Sequence, residues 1–499
     1  MNDVFEAGVT DDMFSLIYEA NRENFVAVRT PNGLSRREPF YDIVMQGDVL
    51  APLISSLQVD TIGKECLEEN KHLYFYKGIV PIPPLGMVDD LFTISTCGYK
   101  TTMMNQFINS KTGMKRLQFG TKKCIKLHVG KTKNETLCKD VSVGGWKITV
   151  ETDAETGQCV QNEHFGGQEK MSIKQDQMYL GDIISADGKH DKNIQARKNK
   201  GLGKINEIMQ ILQSLFLGKY HYEVALVLRS SLLLSSLLLN SEAWVNLTES
   251  NIRRLEQTDE ILLSKILGCD SNTSNVFKYL ELGIYPVRFE IMKRKVLFLQ
   301  YILQQEDSSM VSKVFQATCT NPIQNDFVNT CKKYLESLEI QLDFEEIRKM
   351  SKYQFKKLVK EKITEAGFKY LIKKKNEKGK QRKIEQLEYS KLSIQEYLLC
   401  GNNDTEISKL IFKARGKILD IKEHKKWKYK DDICVGCETK SETFEEVIFC
   451  PGLMETDEIV DEKLSYNVFL GGSVEDMERI AKILKKRLKR REKILEDKN

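Results

Sequence analysis

The 499-residue chain lacks several things that would each define a class of protein. It has no uninterrupted apolar run of about 18–20 residues, the length a membrane-spanning helix needs. Its greasiest stretch, Val224 to Leu239, is broken by Arg229 and four serines. No basic-then-apolar leader opens the chain, because Asp3, Glu6, Asp11 and Asp12 occupy that region. The twelve cysteines are scattered singly apart from Cys434, Cys437 and Cys450, so reduced thiols in an intracellular compartment, nucleus or cytoplasm, are expected rather than a secreted disulfide framework. No Gly-x-Gly-x-x-Gly, P-loop or Ser/His/Asp pattern occurs, and no repeat of 20–50 residues. The histidines are few and isolated. What remains is a soluble-type composition, 41% apolar and 29% charged, long enough for two to four units.

Charge is small in total but uneven. The 76 Lys and Arg exceed the 71 Asp and Glu by five, yet Arg348–Lys383 alone carries fifteen basic residues against three acids. The rest of the chain is therefore net acidic. A second block, Lys482–Lys493, holds eight basic residues and one acid. Such blocks attract polyanions, since neutralising phosphates releases condensed counterions; each could equally be a solvated helix face. Within the second, Lys485-Lys-Arg-Leu-Lys-Arg-Arg491 fits a nuclear-import or nucleic-acid patch.

The patterning predicts an α+β chain. Pro31-Asn32-Gly33 between short apolar runs predicts a hairpin. Tyr74–Val80 is a strand candidate ended by Pro81, Pro83 and Pro84. The run Met178–Ser185 leads into Ala186-Asp187-Gly188, a second hairpin signal. Beyond Lys189 apolar residues recur at helical spacing through Ile205, Ile208, Leu212 and Leu255, with Val224–Leu239 expected as a buried core helix and Gly268 as a stop. Ser473 and Asp476 form a capping-box signal opening a basic helix that runs to about Leu495.

Two constellations carry chemistry. Met87-Val-Asp-Asp-Leu91 places two carboxylates at a strand–turn–strand, where they could ligate hard divalent cations or be simply a solvated turn. Cys434-Val-Gly-Cys437 with Cys450 supplies three thiols at zinc-knuckle spacing. Glu446 lies between them, and His424 is an alternative ligand only if the chain folds back. Bound zinc, a decayed site and unrelated reduced cysteines are all open readings.

Upstream of the Asp pair stands Val44-Met-Gln46-Gly47-Asp-Val-Leu-Ala-Pro52. Downstream follow Asn109-Ser-Lys111-Thr112 and then Tyr179-Leu180-Gly181. Four motifs in this order resemble the palm of the reverse transcriptases of non-LTR (LINE-type) retrotransposons, and the resemblance covers roughly residues 1–300. It implies RNA-directed DNA polymerase chemistry, with Asp89 and Asp90 as Mg2+ (or Mn2+) ligands and Lys111 beside the triphosphate. Gln46 and Gly47 would lie against template and incoming nucleotide, and Tyr179, Leu180 and Gly181 would form the primer grip. The segment Asp431–Pro451 resembles the terminal Cys-Cys-His-Cys knuckle of the same elements, with Glu446 where the family has histidine, so Zn2+ is implied at a degenerate site of Cys434, Cys437, Glu446 and Cys450. RNA, DNA and deoxynucleoside triphosphates are the implied partners, with no membrane.

The resemblance divides the chain into a partial palm (1–188), a helical thumb-like domain (189–305), a basic helical connector (306–420), the knuckle-like segment (421–460) and a basic C-terminal helix (461–499). The family's upstream metal-binding aspartate has no counterpart in an apolar strand before Gln46, and the fingers and an endonuclease domain are not recognised. The expectation is therefore an amino-truncated polymerase unable to polymerise unaided. The alternative is a nonenzymatic nucleic-acid-binding protein, or an inactive relic.

Overall fold

The computed structural model describes residues 5–497 except positions 6–7, 23, 28, 32, 41–50, 70–71, 88–89, 115–119, 121–122, 128–141, 144–145, 153–158, 166–168, 171, 216, 378–381, 401–403 and 455–464. The chain mixes helices with small two-stranded sheets. It forms two compact units: Met1–Gln177 with Ser185–Gly188 and Glu306–Asn321, and Met178–Ile184 with Lys189–Gln305 and Pro322–Asn499.

In the first unit the strands pair two by two. Arg29–Thr30 turns back on Gly33–Leu34, and Asn24–Val26 meets Glu38–Phe40 beyond it, as the Pro-Asn-Gly signal requires. Gly33 sits at φ +121°, a conformation L side chains rarely adopt. Helix α1 (Ala51–Glu69) packs on α2 (Gly98–Met114) through Ile62, Cys66, Met104 and Ile108. The Tyr74–Val80 run is not one strand. Lys77 and Gly78 both take positive φ, so Tyr74–Tyr76 folds back on Val80–Ile82, with Pro81 opposite Phe75. Strand β1 (Leu85–Met87) then pairs with β2 (Asp90–Phe92), Met87 opposite Asp90. A methyl group on Gly86 would meet Val59 Cγ1 at 1.9 Å, so only glycine lets this hairpin lie on α1. Helix Met310–Thr320 belongs to this unit, where Ala317 packs with Val80 and Ile82 and Thr318 Oγ1 lies 3.1 Å from the Tyr76 hydroxyl.

The turn expected at residues 186–188 is preceded by a tighter one. Strand β3 (Asp176–Tyr179) pairs with β4 (Asp182–Ser185) across Leu180-Gly181, while Gly188 closes a further turn that leads into α3 (Asp191–Ser214).

The second unit is helical. Ile205, Ile208 and Leu212 on α3 bury against Leu262, Leu263 and Ile266 on α5 (Glu249–Leu267), each side chain contributing about 1.5–3 kcal/mol of transfer free energy. The expected core helix at Val224–Leu239 begins as α4 (His221–Leu228) but widens to a π-turn over Arg229–Leu234. Arg229 is buried there and binds Asp259 through two bonds of 2.7 and 2.8 Å, with Tyr279 donating to the same carboxylate at 3.2 Å. The charge that breaks the apolar run is thus neutralised inside the fold. Gly268 and Gly283 close α5 and α6 (Asn275–Leu282) in the left-handed region. Helix α7 (Val287–Leu303) packs on α8 (Lys352–Lys375), whose Leu371 joins the same core as Phe412 of α9 (Thr405–Arg415), Phe444 of α10 (Phe444–Phe449), and Ile480 and Leu484 of α11 (Val474–Asp497). Ser473 caps α11, accepting from Asp476 N at 3.1 Å. Glu281, fully buried, is satisfied by Arg415 and by the hydroxyls of Tyr389 and Tyr397, tying α6 to α9. No helix among the described residues is long and apolar enough to cross a membrane.

Candidate metal centre

Local backbone geometry builds the cysteine site. Cys434 N donates to Lys440 O at 2.7 Å, and Ile433 bridges Ser441, closing a small loop around Cys434 and Cys437. Thr443 caps α10, accepting from Glu446 N at 3.1 Å, which fixes Glu446 on the first turn; Cys450 follows the last. A Cβ on Gly436 would meet Cys450 Sγ at 2.9 Å, and one on Gly452 would meet Gly436 O at 2.1 Å. Two glycines therefore bring the Cys434 loop against the turn after Cys450.

The result is a group of four donors, Cys434, Cys437, Glu446 and Cys450, whose ligand atoms all lie within 4.8 Å of one another. Cys434 Sγ is 3.6 Å from Cys450 Sγ, and Cys437 Sγ is 3.3 Å from Glu446 Oε1. Tetrahedral donors at zinc–sulfur and zinc–oxygen bond lengths stand about 3.5–3.8 Å apart, so small shifts would close the four atoms on one such ion. A Cys3Glu group of this kind could hold a metal such as zinc.

The thiols are unequal. Hydrogen bonds from Thr439 and the backbone of Lys440 lower the Cys437 thiol, while burial and the neighbouring Cys434 push Cys450 up to about 12. A bound cation would hold all of them as thiolates and release their protons. Lys440 Nζ, 3.7 Å from Glu446 Oε2, offsets part of the excess negative charge. His424 is not the fourth ligand, since it stands outside the group. It is buried, its Nδ1 has no hydrogen-bond partner, and burial together with Lys383 and Lys417 pushes it down to about 3.

The basic C-terminal helix holds this site from outside. Arg487, 1% exposed, donates to the carbonyls of Ile448 and Leu453 at 3.3 and 2.9 Å, spanning Cys450. Arg491 binds buried Glu442 at 2.8 Å, and Glu442 also accepts from Lys422 N at 2.8 Å. Lys485 pairs with Asp404 at 2.8 Å. The expected polyanion patch over Lys485–Arg491 is thus partly spent on structure. Sequence reasoning missed this role, although positions 480, 484, 487 and 491 share one helical face and two of them are arginine.

The polymerase-like residues are placed as follows. Gln46, Gly47 and Asp89 lie outside the described residues. Asp90 opens β2 and is exposed. Lys111 is held by Glu65 at 2.7 Å and Glu69 at 3.5 Å, and its bond to Glu65 raises its pKa. Tyr179 ends β3, and Leu180 and Gly181 form the turn at φ +46° and +86°. The left-handed Leu180 costs about 1–2 kcal/mol. It is held by long-range bonds: Asn240 to Leu180 O at 3.2 Å and Arg197 to Gly181 O at 2.7 Å. Asp182 beside them accepts from Arg197, Asn193 and Trp244 at 2.7, 3.0 and 3.3 Å.

No family model matches the chain, and no curated protein and no solved structure matches it.

Proposed function

We propose that this chain is a reverse-transcriptase-type protein of the non-LTR class whose partners are RNA and DNA. The observation that supports the reading is a pair of hairpins at the motif positions. One sets Asp90 opposite Met87, and the other presents Tyr179-Leu180-Gly181 on a turn braced by the helix that follows it. Two-metal nucleotidyl transfer needs several carboxylates converging on one site. Among the described residues no such group includes Asp90, so no chemical step is assigned to Mg2+. Lys111, held by two glutamates, is not free to meet a triphosphate, which weighs against unaided synthesis. The cysteine centre, loaded with zinc, serves this reading as a structural knuckle rather than a catalytic one.

Primer extension on an RNA template with Mg2+ or Mn2+, run beside an Asp89→Asn/Asp90→Asn variant and paired with a gel-shift assay, tests the proposal. Both proteins should retain the primer–template and neither should extend it. Extension that the variant loses would make the chain a polymerase in its own right. Failure to bind RNA at all would remove the reading.

A further inference from the structure

Helix α8 carries lysines around a narrow buried stripe, and four of its residues near the start are exposed together. Phe355, Val359, Ile363, Gly367 and Leu371 are buried at a spacing of four, which turns Tyr353, Lys356, Lys357 and Lys360 the other way. With Lys391 from the following loop they line an open groove of about 780 Å3. Tyr353 is 77% exposed, although a tyrosine ring ordinarily gains by burial. No carboxylate among the described residues pairs with any of these four lysines. Two acids also line the groove. Glu365 is taken by Lys362 at 3.0 Å, which leaves Glu361 against four ammonium groups.

Lysines lining an open groove match the sign of a phosphodiester chain, and an exposed aromatic face offers a stacking surface to a base. A duplex hides its base faces, so the tyrosine selects for a single strand. Thr364 and Ser390 add hydroxyls to the wall; the Thr364 hydroxyl donates to Lys360 O at 2.8 Å and keeps its oxygen free to accept from a ribose 2′-hydroxyl. We propose that this groove is a binding site for single-stranded RNA, with phosphates along Lys356, Lys357, Lys360 and Lys391 and a base stacked on Tyr353. The proposal deepens the nucleic-acid reading above and rests on it.

The test uses the full chain and a labelled oligouridine RNA of about 15 nucleotides, its affinity read by fluorescence anisotropy over a range of salt. For single strands each phosphate contact contributes about 0.7 to the logarithmic salt slope, so Lys356→Ala/Lys357→Ala/Lys360→Ala should flatten it by about 2. Tyr353→Ala should weaken binding roughly tenfold with the slope unchanged, and Tyr353→Phe should restore it. All these side chains face solvent, so circular dichroism and melting temperature should match the wild type. A triple variant with the wild-type slope would overturn the site while leaving the nucleic-acid reading intact; a wild-type chain that binds no RNA would remove both. DNA of the same sequence binding as tightly, or polyglutamate displacing the RNA as well as RNA does, would also overturn the assignment.

Discussion

Helices α8 and α11 are the same length and both are densely basic, yet they use their charge in opposite directions. The nine cations of α8 are all lysine, and its buried stripe is apolar apart from Gly367. The cations of α11 include four arginines, and two of them, Arg487 and Arg491, sit on the buried face with Ile480 and Leu484. A guanidinium is weakly hydrated and presents donors in a fixed fork, so it can be buried against carbonyls and a carboxylate. A lysine ammonium is strongly hydrated and stays outside unless paired. Each helix carries nine cations, so their number alone gives both the same reading, whereas the kind of cation and its helical phase separate them.

The largest expected effect lies on the inward side. Arg491→Ala leaves Glu442 buried without its guanidinium, and should cost about 3–5 kcal/mol in urea unfolding. Arg487→Ala strands two carbonyls next to Cys450 and should cost about 2–3 kcal/mol. If these variants unfold like the wild type, the contrast between the helices fails.

The metal centre sharpens the contrast next. Purified chain should carry one zinc per molecule by elemental analysis, and a chelator should lower its melting temperature. Glu446→Ala should weaken zinc affinity at least roughly 10–100-fold, the range lost when even supporting residues of metal ligands are removed. Glu446→His should recover or exceed the wild-type affinity, because imidazole suits a thiolate-rich zinc site better than carboxylate does.

A pH dependence follows from His424, which lies on the inward side too. Its folded pKa of about 3 is below the usual 6.5, so between these values the unfolded chain binds the extra proton. Stability from this group is complete above pH 6.5 and is lost as pH falls toward 3. Burial depresses it most, and the charges of Lys383 and Lys417 add to the effect; Glu423 Oε2, 4.0 Å from Nε2, is the facing carboxylate. Melting temperature measured against pH should drop more steeply below 6.5 for the wild type than for His424→Leu.

The smallest effect is on the outward side. The Lys356, Lys357 and Lys360 alanine variant should change unfolding free energy by no more than about 0.5 kcal/mol. A loss comparable to Arg491→Ala would mean that α8 uses its lysines as α11 uses its arginines.

What could be read from the sequence was local. Pro31-Asn32-Gly33 gives its turn because the residue types themselves demand it. Ser473 and Asp476 give the start of α11, and the Cys-x-x-Cys spacing points to the three thiols, while Glu446 as the fourth donor comes from the resemblance to a Cys-Cys-His-Cys knuckle. The features that escaped depend on partners far along the chain. The turn at Leu180 falls where no turn residue stands ahead of Gly181, because Arg197 and Asn240 bond its carbonyls. The π-turn at Arg229 exists because Asp259, thirty residues on, draws the guanidinium inward. The structural arginines of α11 look like a surface patch until Glu442 and the carbonyls around Cys450 are folded against them.

The central claim is that this chain binds RNA through charge and does so independently of its aspartate pair. The most direct measurement is RNA affinity by anisotropy for the wild type and the Asp89→Asn/Asp90→Asn variant, between about 50 and 200 mM salt. The account predicts that both bind alike and weaken by at least roughly twentyfold across that range, the fall that three phosphate contacts give. Binding that is indifferent to salt, or that vanishes with the two aspartates, would contradict it.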